Sequence, residues 1–244
     1  MSPTRSRSDS AFLTAEWRHL AIVTFAADPA WLEAFVPRGT ELDAHEGRPL
    51  MSLVGFRFLR TRVLGLPIPF HRHFDEVNLR FYVRRRVGGE LRRGVTFIRE
   101  IVPRRLIALV ARLAYNEPYV ALPMKSDVPN GTAPSRVQYA WRLGGEWQHV
   151  ALTPTSVVPP EKSAETTFIT HHEWGYSRQR DGSTLEYRVA HPAWRVWMGA
   201  EPEVRGDVGI LYGRAIGDAI ARSRPVSVLF AEGSPVTVFK PERI

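Results

Sequence analysis

Residues Phe74–Val83 read FDEVNLRFYV, and the fold turns on what these ten residues form. On a strand, alternate side chains share a face. One face then carries Phe74, Glu76, Asn78, Arg80 and Tyr82; the other carries Asp75, Val77, Leu79, Phe81 and Val83. The second face is apolar and belongs in a core. The first is polar and leaves two readings open. It is the solvated outside of a sheet, or it is the inner wall of a barrel. In a barrel, Arg80 anchors an anionic ligand, Glu76 serves as acid or base, and the two form a carboxylate–guanidinium pair.

Similar runs recur along the chain. Short alternating or apolar stretches rich in Val, Phe and Tyr occur near 19–26, 49–58, 74–85, 94–101, 118–124, 136–143, 147–153, 168–178, 184–191, 226–231 and 236–240. They predict strands. Gly88-Gly89, Gly144-Gly145 and Asp181-Gly182 fall between pairs of them as hairpin turns. Helices are predicted at Asp28-Pro29, as N-cap and first helical residue, and from Pro103 with an apolar stripe of Leu106, Leu109, Val110 and Leu113. A weaker third runs through LYGRAIGDAIA, where two glycines disfavour a helix. So many strands with few helices point to a mainly β fold. The expected architecture is a closed or nearly closed antiparallel barrel with two or three short helices, since closure removes exposed edges. No linker divides the chain, so residues 11–244 are expected to form a single domain after a disordered tail, residues 1–10.

Composition narrows the function. The chain has 244 residues and no cysteine. That excludes a thiolate nucleophile and Cys-ligated metal sites. No apolar run nears the ~18 residues of a membrane span, and MSPTRSRSDS lacks the apolar segment of a signal peptide. A cytoplasmic location with no membrane partner is expected. Net charge is +8, but the arginines form no long tract, which argues against a nucleic-acid partner. His71, His73, His171, His172 and Glu173 are spaced poorly for one metal ion, so no metal and no cofactor are expected. Phosphate-loop, dinucleotide and nucleophile-elbow motifs are missing.

The segment FITHHEWGYSRQRDGSTLEYRVAHPAW (168–194) is densest in aromatics and histidines. A symmetric loop at Asp181-Gly182 places Arg178 opposite Leu185, Tyr176 opposite Tyr187, Trp174 opposite Val189 and His172 opposite His191. His172, Trp174, Tyr176, Tyr187 and His191 then share one face, either as a core patch or as a ligand-pocket wall. Two histidines so close cannot both be charged cheaply in a buried site.

YNEPYVALPMKS (115–126) holds Lys125, one of three lysines. A desolvated lysine forms imines, whereas a surface lysine does not. Several longer runs carry a resemblance: residues 12–58, FDEVNLRFYVR, HHEWGYSRQRDGSTLEYRVAHPAW, and the closing PVSVLFAEGSPVTVF. With their Trp-Gly-Tyr and His-Pro motifs they resemble the YqjF-like family of uncharacterised bacterial proteins. That family is similar to the acetoacetate decarboxylase superfamily. The resemblance implies a cone-shaped β-barrel around a small-molecule pocket and no agreed activity. It also bears on Lys125. The decarboxylases carry G-R-E-x-x-G-x-P-K-K, whose first lysine forms the Schiff base. Here ARLAYNEPYV keeps Arg112 and Pro118, but Leu113 stands for the glutamate, Asn116 for the glycine and Tyr119 for that lysine. Tyrosine forms no imine, so the resemblance argues against decarboxylation. Lys125, beyond Pro123, is expected at the surface.

Three functional expectations follow. The first is a pocket for a small organic-acid-like ligand, in a binding protein or accessory enzyme without Schiff-base chemistry. The second is a lyase or hydratase acting on a keto acid, with Glu76 as acid/base, Arg80 as carboxylate anchor and Tyr119 beside them. The third is a structural or interaction module whose barrel is filled by side chains. The oligomeric state is left open, a homo-oligomer included.

Overall fold

The computed structural model describes residues 10–68, 71–105, 109, 116–128, 135–159 and 162–244. In chain order the strands are β1 (Ala11–Ala26), β2 (Glu41–Leu42), β3 (Ala44–His45), β4 (Arg48–Val63), β5 (Leu66–Pro67), β6 (Phe74–Val87), β7 (Glu90–Val102) and β8 (Tyr119–Ala121). They continue as β9 (Met124–Asp127), β10 (Val137–Leu143), β11 (Glu146–Val157), β12 (Trp174–Arg178), β13 (Thr184–Ala190), β14 (Val196–Arg205), β15 (Ser227–Phe239) and β16 (Glu242–Arg243). The chain is mainly β, as its alternating runs predict.

Hydrogen bonding runs in the order β13–β12–β7–β6–β4–β1–β15. β13 then pairs again with β15, through Val189↔Val238 and Ala190↔Thr237, and closes a ring. Most neighbours are antiparallel; β12 lies parallel to β7. From β15 the sheet branches through β14, β11, β10 and β9, and this arm folds back over the outer face of the ring. Gly55 on β4 permits the contact, because a Cβ there would stand 2.5 Å from the Tyr139 ring. Closure requires bent strands. His19 (φ 56) and Gly233 (φ 81) take left-handed conformations where pairing passes from Arg18↔Gly233 to Leu20↔Ala231.

Two apolar clusters result. The outer one joins Val77, Leu79, Phe81 and Val83 of β6 to Met51, Leu53, Tyr139, Trp141 and helix residues Leu211, Ile216 and Ile220. The inner one, inside the ring, includes Leu20, Ile22, Val54, Phe56, Phe58, Tyr82, Tyr187 and Val189. β6 therefore divides as its alternation predicts, with its polar face turned inward.

Asp28 caps the helix Pro29–Leu32 by accepting from the Ala30 N–H at 2.9 Å. The helix predicted through LYGRAIGDAIA is two, Gly209–Tyr212 and Arg214–Arg222, broken at Gly213 (φ 93). Of the helix expected from Pro103, only Pro103, Arg104, Arg105 and Leu109 are among the described residues; the rest lies outside them. The strand expected from Phe168 begins instead as a helix, Ser163–Thr170, and β12 starts only at Trp174. Among the described residues no helix is long and apolar enough to cross a membrane.

Candidate functional site

The ring holds a cavity of roughly 150 Å³, a volume that accepts a benzene-sized molecule. Trp17, Phe56, Phe58, Phe74, Phe97 and Trp194 contribute aromatic walls. Its polar groups gather in two poles along β6.

The first pole is a set of carboxyls. Glu76 is 2% exposed and accepts hydrogen bonds from Asn78 Nδ2 and from the Tyr119 hydroxyl, each at 3.0 Å. Glu117 accepts from the Tyr187 hydroxyl at 2.8 Å. Glu100 is as buried as Glu76, and its Oε2 has no partner. Burial is the main reason that Glu76 is raised to about 7, against the pull of Asn78, Tyr119 and Arg80. Burial also raises Glu117 to about 8, with the neighbouring Glu76 adding to it. Glu100 is pushed well above the carboxylate range by burial, then by Glu117 and Glu76, against a hydrogen bond with the Tyr119 hydroxyl. Like charges in one buried site cannot all ionise cheaply.

The second pole is Arg80 with His172 and His191. Arg80 Nη2 donates to the Ile169 carbonyl at 3.1 Å, and its Nε has no partner. The His172 ring stacks on Tyr82 with centroids 4.9 Å apart. Burial holds His172 well below its usual value, helped by the Arg80 charge. His191 stacks on Trp194 at 4.4 Å and is lowered chiefly by burial, against the Pro192 carbonyl. Behind this pole a buried hydroxyl chain runs from Thr24 to Ser52 (2.8 Å) to Tyr82 (2.6 Å).

The sequence reading is corrected in three places. Glu76 and Arg80 both face the cavity, but they form no ion pair; Glu76 is held by Asn78 and Tyr119, and Arg80 by Ile169. The 181–182 hairpin is slipped by one residue: Trp174 pairs with Arg188, Gly175 with Tyr187 and Tyr176 with Glu186. Only Gly182 takes positive φ, and Asp181 accepts from the Ser183 N–H at 3.0 Å. The loop thus has three residues, closed by Gln179 and Ser183. The slip buries Glu186, whose cost is offset by Arg85 at 2.9 Å and Arg92 at 2.5 Å. It sends Tyr176 to the outer cluster, away from the cavity. Tyr187 stays inside because a Cβ at Gly175 would collide with its ring. Third, His172 does not face His191: the ring of His171 lies nearer, 5.9 Å from that of His191. His172, Trp174, Tyr187 and His191 nevertheless all line the cavity.

Glu100 and Glu117 escaped the sequence reading. A symmetric β6–β7 hairpin would turn Glu100 outward. A bulge re-aims it: pairing passes from Arg80↔Phe97 to Leu79↔Arg99, and Glu100 then lies opposite Asn78. Glu117 follows Asn116, which takes φ 53, a conformation asparagine tolerates better than most residues. Pro123 separates Tyr119, on β8 beside β7, from Lys125, on β9 beside β10. Lys125 is exposed, with its ammonium 4.3 Å above the Trp147 ring. Lys162 and Lys240 are exposed too, so every lysine of the chain stands outside the cavity.

The family model described as "Uncharacterized conserved protein" (DUF2071) matches residues 14–235. "Uncharacterized protein YqjF" of Bacillus subtilis is 30% identical over 195 residues, spanning 77% of this chain and 76% of that one. Three solved structures share the fold at low identity. Acetoacetate decarboxylase from Legionella pneumophila superposes with a TM-score of 0.68 at 14% identity, over 100% of this chain and 92% of its own. An acetoacetate decarboxylase-like enzyme from Sphingomonas wittichii gives 0.64 at 16%, over 100% and 96%. The enduracididine biosynthesis enzyme MppR complexed with pyruvate gives 0.63 at 15%, over 99% and 94%.

Proposed function

The chain belongs to the DUF2071 family, and from that premise we propose that it binds a small organic acid inside its ring without forming a Schiff base. One observation carries the reading: a buried cavity presents an Arg80 Nε with no partner, while all three lysines are exposed. Arginine binds carboxylates through a fixed fork of donors, and for a buried guanidinium such as Arg80 that attraction is strengthened. Tyr119 occupies the position where the resembled decarboxylases carry their imine-forming lysine. Its hydroxyl donates to Glu76 and cannot condense with a carbonyl as an amine does. The pyruvate bound by MppR supports a keto acid as the first ligand to try.

Calorimetric titration with pyruvate, butanoate and hexanoate tests this reading, alongside native mass spectrometry for a retained acid. At least one acid is expected to bind, with a tenfold or greater loss in Arg80→Met. Borohydride added with pyruvate or acetoacetate is expected to leave the protein mass unchanged. Binding indifferent to Arg80, or a stable adduct, overturns the reading.

A second reading adds chemistry to the same pocket. Glu76, held near neutrality, is poised to take a proton from the carbon beside a keto group and return it, the step common to lyases and hydratases. Deuterium exchange into the pyruvate methyl group, lost in Glu76→Gln, is its signature; no exchange above buffer removes it.

A further inference from the structure

The two poles of the cavity ask for opposite things. At the glutamate pole the buried atoms without partners are Glu100 Oε2 and Asn78 Oδ1. An amide oxygen only accepts, and a carboxylate only accepts once ionised. At the other pole the atoms without partners are Arg80 Nε, a donor, and His172 Nδ1. All four side chains are more than nine-tenths buried and line the cavity. Once a carboxyl of the glutamate pole is ionised, a molecule filling the cavity can donate hydrogen bonds there and accept one from Arg80 Nε at the other end.

Resting on the organic-acid reading, we propose that the glutamate pole is a subsite for an organic cation. The molecule taken is then an amino acid with its two charges at opposite ends. Its carboxylate meets Arg80, and its ammonium lies among Glu76, Glu100, Glu117 and Asn78. An ammonium has three donors and no acceptor, which matches the oxygens waiting there. Among the described residues no three His, Asp or Glu side chains stand so as to hold a metal ion; the cation proposed here is an organic one. The aromatic walls suit it, because ring faces attract organic cations. Four residues of strand separate Glu76 from Arg80, on the order of 13 Å of backbone. Two polar contacts of roughly 3 Å each leave room for a chain of four to six carbons, in keeping with the cavity volume.

The charged and titratable groups facing the ammonium are Glu76 on β6, Glu100 on β7, Glu117 and Tyr119 at β8, and Tyr187 on β13; Arg80, His172 and His191 belong to the other end. In the empty cavity burial shifts all three carboxyls toward their protonated forms, and repulsion from neighbouring carboxylates adds to this at Glu100 and Glu117. An ammonium keeps carboxylate charge in place, so its binding at neutral pH must release protons. A plain acid has no such effect at this pole.

The test compares butanoate, pentanoate and hexanoate with 4-aminobutanoate, 5-aminopentanoate and 6-aminohexanoate, with butylamine as the third arm. All are titrated into the full chain by calorimetry at pH 7, in phosphate and in Tris to count protons. The best amino acid is expected to bind at least tenfold tighter than its plain acid and to release protons. In Glu100→Gln the preference should fall to twofold or less. Glutamine mimics the protonated acid, and circular dichroism checks that the variant folds. Plain acids binding as tightly as amino acids, or a preference that survives in both Glu100→Gln and Glu117→Gln, overturns the cation subsite and leaves the organic-acid reading standing. Butylamine binding with no acid of either kind bound keeps the subsite and overturns the organic-acid reading. No binding by any probe overturns both.

Discussion

On one face of β6, Val77, Leu79, Phe81 and Val83 are fully buried beside Met51, Leu53, Tyr139 and Trp141. On the other, Glu76, Asn78, Arg80 and Tyr82 are also buried, at 8% exposure or less, yet three of the four line a cavity. One strand thus borders a solid core and a hollow. Depth of burial does not distinguish them. What differs is the chemistry of the two faces: the outer four residues have no polar side chain, whereas on the inner face Asn78 Oδ1 and Arg80 Nε are buried without a partner, and a buried group left so costs about 1–3 kcal/mol.

Substitutions on the two faces should therefore part company. Phe81→Ala opens a hole in the outer core and should lower unfolding stability by about 3–5 kcal/mol. Glu76→Gln keeps the shape and removes a carboxyl that resists ionisation, so at pH 7–8 it should be neutral or stabilising. Urea unfolding of both variants measures the contrast. Equal losses would erase the distinction between core and hollow.

The pH dependence of stability comes next in size. Glu76, ordinarily 4.5, is raised to about 7 in the folded chain; Glu117 is raised to about 8. The unfolded chain gives up these protons first. The stabilisation is complete below pH 4.5 and is lost as pH rises through 7 and 8, by a few kcal/mol in all. His172 and His191 act in reverse. Their folded values lie below 6.5, so stability is lost as pH falls from there. Unfolding of the ligand-free protein between pH 4.5 and 9 should show the alkaline loss, and Glu117→Gln should shrink it. A flat alkaline limb would mean that the carboxyls are not raised by their burial.

Tyr119→Phe is a smaller change. It removes the hydroxyl that Glu76 accepts from, which should cost about 1–2 kcal/mol and push Glu76 further above 7. Carboxyl carbon chemical shifts followed against pH would report it; an unmoved Glu76 would mean that the 3.0 Å bond carries little. Smallest of all, Lys125→Ala should change stability by no more than about 0.5 kcal/mol, because it loses only an exposed contact with Trp147. Any loss of ligand binding in that variant would place the lysine nearer the cavity than its strand allows.

Much of the fold was legible because its signals are local. The alternation of FDEVNLRFYV sorted β6 into its two faces. Asp28-Pro29 announced a helix start, and Pro123 announced the break that keeps Lys125 off the strand of Tyr119. The aromatic hairpin was not legible, although Asp181-Gly182 announced its turn. The dipeptide allows several loop lengths, and the side chain of Asp181, capping Ser183, selects the three-residue one. Glu186 then faces Arg85 and Arg92, partners far away in sequence.

By itself, then, the sequence determined a mainly β chain, the sidedness of its strands and the exclusion of cysteine chemistry. Only the tertiary structure decided register. The bulge at Phe97–Arg99 and the slip at 181–182 each change pairing by one residue, and one residue exchanges the faces of a strand. That exchange put Glu100 into the cavity and took Tyr176 out of it. Alternation is set by the backbone of a single strand. Register is set by a turn, a bulge and the contacts of side chains from opposite ends of the chain, which come together only when the ring closes.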